Sequence, residues 1–147
     1  MEPVDTKKVV AILNQILEQE MAGVVRYTHY SFMVYGHGRI PIVSWLRSQA
    51  SESLAHAQRA GELITTLGGY PSLSIGSLLD KHRHGIGDIL KESLDTEAQA
   101  LKHYYELLEL VRDRSVLVEE YAREMIAAEE IHAAEVRKML ASPSDTK

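Results

Sequence analysis

The chain has 147 residues, 45% hydrophobic and 25% charged, with a formal net charge of −5, which suits one globular domain with a sizeable core. The acidic balance and the lack of a basic patch exclude nucleic acid as the main partner. No apolar run approaches the ~20 residues of a membrane helix. Met1-Glu2-Pro3-Val4-Asp5 lacks the basic-then-apolar pattern of a signal peptide. The sequence has no cysteine, which rules out disulfides and thiolate metal sites and fits a cytoplasmic protein.

Four segments carry helical periodicity. The first spans about residues 5–35, capped by Asp5 or Thr6 and ended by Gly36-His37-Gly38. Its apolar stripe is Ile12, Ile16, Val24 and Tyr27, with Glu20 among them. The second, about 43–68, begins near Pro41 or Ser44 and stops at Gly68-Gly69-Tyr70-Pro71. Its inner face reads Trp45, Gln49, Glu52 or Ser53, His56, Leu63 and Leu67. The third, about 87–112, starts beside Asp88 and carries Leu94, Glu97, Leu101, Tyr104 and Leu108 on one face. The fourth, about 115–141, is capped by Ser115 and carries Val118, Tyr121, Met125, Glu129, His132 and Val136. The tail, 142–147, reads as disordered.

Connection lengths set the topology. Short turns join the first segment to the second and the third to the fourth, so each pair is an antiparallel hairpin. About twenty residues separate Gly68 from Gly87. Extended, they reach ~66 Å, more than the ~37 Å of a 25-residue helix. That connection can run the length of a bundle, which makes the second and third helices parallel. The expected fold is all-α: a four-helix bundle of two hairpins joined by a long crossover, in a single domain over residues 1–147.

One pattern occurs twice. Glu20 precedes His56 by 36 residues and Glu97 precedes His132 by 35, each glutamate interrupting an apolar stripe. Buried carboxylates are costly unless paired or metal-bound. Glu129-Glu130-Ile131-His132 is a Glu-x-x-His pair, whose ends neighbour each other on a helix. Taken alone, such a pair is more often a solvated face. With the duplicated glutamates it points to two metal ions in a bundle core. Oxygen and imidazole ligands without sulfur favour iron, manganese or zinc. Tyr27, seven residues after Glu20, reads equally as a core aromatic or as a phenol beside the ligands. His82-Arg83-His84 reads as solvated.

At these residues the chain resembles bacterioferritin over about residues 5–141. The carriers are Glu20 with Tyr27, His56 with the Gly69-Tyr70-Pro71 turn, Glu97, and Glu129 with His132. The resemblance implies a ferritin-like fold and a dinuclear centre at which dioxygen or peroxide oxidises ferrous iron, with ferric mineral stored in a protein shell. The implied ligands are Glu20, His56, Glu97, Glu129 and His132. Three departures stand out. The family's bridging glutamate on the second helix falls at Ser53, with Glu52 adjacent as a candidate substitute. The haem-ligating methionine falls at Leu54, so no haem is expected. The family's fifth helix has no counterpart after Leu140, which leaves the size of the expected homo-oligomer open. With Ser53 in place of the bridge, the position beside His56 is expected to bind the weaker ion. The alternative reading is a non-catalytic ferritin-like subunit that acts through assembly, with itself or with a competent partner.

Overall fold

The structure, a computed structural model, describes residues 3–78 and 85–141. The tail and the His82-Arg83-His84 run lie outside the described residues. Four helices follow in order: α1 Thr6–Phe32, α2 Arg39–Thr66, α3 Ile86–Val111 and α4 Val116–Leu140. The architecture is an all-α four-helix bundle. Asp5 caps α1 by accepting from the Lys8 amide at 3.2 Å, and Ser115 caps α4 by accepting from the Val118 amide at 3.3 Å. Each side chain satisfies an amide that the first turn leaves free.

The turn between α1 and α2 differs from expectation. α1 stops at Phe32 instead of near Tyr35, and α2 starts at Arg39 instead of near residue 43. Val34 is drawn into the core, which pulls the chain off the helix axis. The Arg39 side chain donates from Nε to the Val34 carbonyl at 2.8 Å. Pro41 does not delay α2, because in a first turn its missing N–H would have no partner anyway. The remaining boundaries lie within two residues of the periodicity.

Side-chain pairs across the bundle give the helix directions. Glu20 meets Tyr104, Tyr27 meets Glu97, and Tyr30 meets Glu92, so α1 and α3 are antiparallel. Arg59 meets Glu124 and His56 meets Glu129, so α2 and α4 are antiparallel. The crossover lies along α1: Asn14 pairs with the Tyr70 carbonyl and the Ser72 amide, and the Gly76 amide donates to the Glu18 carbonyl. It therefore returns the chain to the end where α2 began, and α2 and α3 run parallel.

Two apolar clusters flank the middle of the bundle. One gathers Val9, Leu13, Ile16, Ile64, Leu107, Val118 and Met125, and the other Tyr27, Tyr30, Val34, Leu46 and Ile89. Each fully buried large side chain contributes about 1.5–3 kcal/mol. Between the clusters lie buried polar residues from all four helices: Glu20, Ser53, Glu97 and Glu129.

Candidate metal centre

Each helix brings its polar residue to the same level of the bundle. Glu20 is 7%, Glu97 9% and Glu129 4% exposed, so three carboxylates share one solvent-poor core. His56 Nδ1 lies 3.6 Å from Glu20 Oε1 and 3.6 Å from Glu129 Oε1. Ligand atoms of Glu20, His56 and Glu129 all fall within 4.8 Å of one another, a spacing that can hold a metal ion. On the other side, His132 Nε2 lies 3.7 Å from Glu97 Oε1. Glu129 links the two halves electrostatically, since the neighbouring Glu97 and Glu20 both raise its pKa. Its Oε2 is buried without a hydrogen-bond partner among the described residues. An orphaned buried carboxylate oxygen is costly and calls for a cation or a proton.

Two tyrosines hold the outer carboxylates. Tyr27 donates to Glu97 Oε1 at 2.9 Å, and its oxygen lies 2.6 Å from Ser93 Oγ and 3.3 Å from His132 Nε2. Tyr104 donates to Glu20 Oε1 at 3.0 Å. Each tyrosine follows one glutamate by seven residues and reaches across to the other. Aromatic neighbours flank both halves. Trp45, eleven residues before His56, lies parallel to the His132 ring with centroids 6.0 Å apart. Tyr121, eleven residues before His132, packs edge-on against Tyr104 at 6.1 Å. Tyr104 and Trp45 are thus part of the site, although periodicity alone reads them as core. The repeated seven-residue glutamate–tyrosine spacing is the signal that marks Tyr104.

Protonation reflects the crowding. Burial pushes the Glu129 carboxyl far above the usual range, and the neighbouring Glu97 and Glu20 raise it further. Burial also raises Glu20, against the opposing pull of its His56 partner. For His56 burial favours the neutral ring, but the Glu20 hydrogen bond and the surrounding carboxylates outweigh it and raise its pKa. Without metal, the site therefore retains protons.

The departures on α2 have a geometry of their own. Ser53 is buried and packs into the space left by Gly23, where an added Cβ would meet its Oγ at 2.9 Å. Glu52 is half-exposed and approaches the other edge of the His56 ring, with Oε1 3.8 Å from Nε2. It stands on the side away from Glu20 and Glu129. Leu54 is partly exposed on the same helix.

Comparison with known proteins agrees with the four-helix fold. The ferritin family, described as a ferritin-like domain, matches residues 10–144. The chain belongs to the ferritin family. Among solved structures it is similar to a ferritin-like diiron-carboxylate protein from Bacillus anthracis, with TM-score 0.86, 26% identity, and coverage of 93% of this chain and 98% of that one. It shares its fold with a dodecameric, bacterioferritin-related thioferritin from Bacteroides fragilis, with TM-score 0.83, 22% identity and coverage of 93% and 86%. The same holds for the Rhodobacter capsulatus bacterioferritin, described with a metal-free dinuclear site and haem iron, at TM-score 0.82, 23% identity and coverage of 95% and 86%. No curated protein matches the chain. No described helix of this ferritin-family chain is long and apolar enough to cross a membrane.

Proposed function

We propose that this chain takes up ferrous iron at the Glu/His centre and oxidises it for storage or detoxification, in the manner of bacterioferritin. The observation that carries the reading is the grouping of Glu20, His56 and Glu129 ligand atoms within 4.8 Å of one another, with Glu129 Oε2 buried and unpartnered among the described residues and the Glu97–His132 pair in the same core. An oxygen and imidazole donor set without sulfur suits iron, manganese or zinc, and the diiron-carboxylate relative favours iron. Glu20 and His56 would hold one ion, Glu97 and His132 the other, with Glu129 shared. Two ferrous ions give up one electron each, and the pair reduces dioxygen to peroxide or hydrogen peroxide to water.

The residues of the chain prepare this chemistry. The two apolar clusters exclude bulk water, which strengthens attraction between the carboxylates and incoming cations. Tyr27 and Tyr104 fix the rotamers of Glu97 and Glu20. Glu52 acts on the far edge of His56, orienting the ring and favouring positive charge around it, rather than reaching into the centre as a bridge. The His56 position has three donors already assembled. On the His132 side the Tyr27 hydroxyl lies against both the Glu97 and the His132 donor atoms. We therefore expect the His56 position to fill first, the reverse of the order that Ser53 alone suggests.

Ser53 supports a second reading, a subunit that binds metal weakly and acts within an assembly, either of its own copies or with a competent partner. Anaerobic ferrous titration followed by oxygen exposure separates the two. Two ions per chain and oxidation within seconds to minutes support the first reading. Less than one ion per chain, or binding unchanged in Glu129→Gln, supports the second. Leu54 offers no haem ligand, and the purified protein is expected to lack stoichiometric Soret absorption.

A further inference from the structure

A second polar cavity lies outside the Glu/His centre, between α1, α3 and the crossover, with a volume of about 250 Å³. The crossover closes it with Gly76 and Ser77. The Gly76 amide donates to the Glu18 carbonyl at 2.7 Å, and a Cβ on Gly76 would come within 3.1 Å of that oxygen, so a glycine lets the crossover lie directly on α1.

Arg26 lines this cavity and is only 8% exposed. Among the described residues its Nε has no hydrogen-bond partner and no carboxylate forms an ion pair with it. Its guanidinium lies over the Tyr27 ring, 5.3 Å from the centroid. Two more atoms of residues in the cavity wall, Gln19 Oε1 and His103 Nδ1, are also buried without a hydrogen bond among the described residues. Glu18 is the one carboxylate residue of the lining, and its backbone is held by the crossover. His103 Nδ1 lies 3.9 Å from Glu106. A buried cation without a counter-charge is costly. At roughly 30 Å³ each, several waters fit such a space, but water does not neutralise a guanidinium.

We infer that this cavity binds a small oxyanion of the phosphate class, with Arg26 as its anchor. Guanidinium presents a planar fork of donors and no acceptor, which matches paired oxygens on phosphate, sulfate or carboxylate. The side-chain amides of Gln19 and Gln99 can turn their NH₂ groups toward the same ligand, and the Ser77 hydroxyl adds a further donor. The bound anion sits one side chain from the Glu/His centre, because the Tyr27 ring meets Arg26 while its hydroxyl meets Glu97 and His132. The inference does not depend on which metal, if any, occupies that centre.

The test is calorimetric titration of the full chain, treated with chelator, with inorganic phosphate. Sulfate and acetate in parallel arms separate tetrahedral from planar oxyanions. One saturable site per chain is expected for phosphate or sulfate, with acetate weaker. Arg26→Gln should weaken it at least about ten-fold, the effect of losing one charge-assisted hydrogen bond. Arg26→Lys should retain part of the affinity. Gln19→Glu guards against misfolding of the arginine variants, because it supplies an internal carboxylate to Arg26. It should abolish anion binding and raise the melting temperature in anion-free buffer. A folded wild-type chain that binds neither phosphate nor sulfate, equal binding by Arg26→Gln, or undiminished binding by Gln19→Glu overturns the inference.

Discussion

Glu129 concentrates the electrostatic conflict of the core, and its effect on stability has a definite sign. Its carboxyl is raised in the fold, as are Glu20 and His56. A group with a raised folded-state pKa stabilises the fold fully below its unfolded value, and that contribution is lost as pH rises. The unfolded values are about 4.3 for glutamate and 6.5 for histidine. The metal-free protein should therefore melt at a higher temperature at pH 6 than at pH 8. Glu129→Gln mimics the protonated form and should flatten this slope. A metal-free melt that rises from pH 6 to pH 8 would refute the assignment. Ser53 raises a separate question at the same scale. Ser53→Glu places a carboxylate beside Gly23 and should tighten ferrous binding in the titration; unchanged affinity would mean that the position has no part in the centre. The sequence made Glu20, His56, Glu97, Glu129 and His132 legible because a charge inside an apolar stripe is conspicuous. Trp45 was not, since an aromatic on an inner face looks the same whether its polar edge meets a ligand or a void, and Tyr104 is marked only by its seven-residue spacing from Glu97.

At the scale of the helices, the α1–α2 contact depends on a short residue facing a missing one. An added Cβ on Gly23 would meet Ser53 Oγ at 2.9 Å, and Ser53 has no flexible stem with which to withdraw. Gly23→Ala should therefore destabilise the protein by about 1–3 kcal/mol, the usual cost of overpacking. Ser53→Gly in the same chain removes the clash and should recover part of the loss in a chemical melt. A Gly23→Ala variant as stable as wild type would show that the helices separate freely. Helix directions and the crossover followed from segment lengths alone, because chain reach is a fixed geometric quantity. The early start of α2 did not, because it rests on Val34 entering the core and on Arg39 reaching its carbonyl. Both are tertiary contacts with no periodic signature.

Across the whole molecule, the centre joins all four helices, so a bound cation should act on global stability. Binding to the folded state alone stabilises by mass action, about 2.7 kcal/mol at one hundred times the dissociation constant. Ferrous, manganous or zinc ions should raise the melting temperature at pH 7, and more so at pH 8, because cations displace the protons that burial retains. No shift with any of the three would favour the assembly reading. The central claim is that five side chains from four helices hold two ions in one core. Crystals soaked anaerobically in ferrous salt, with anomalous diffraction recorded at the iron edge, test it most directly. The expected result is two peaks, one beside Glu20 and His56 and one beside Glu97 and His132, with Glu129 between them and the His56 peak the first to appear at low iron. Peaks confined to surface carboxylates, with Glu129 still protonated and unliganded in the core, would contradict it.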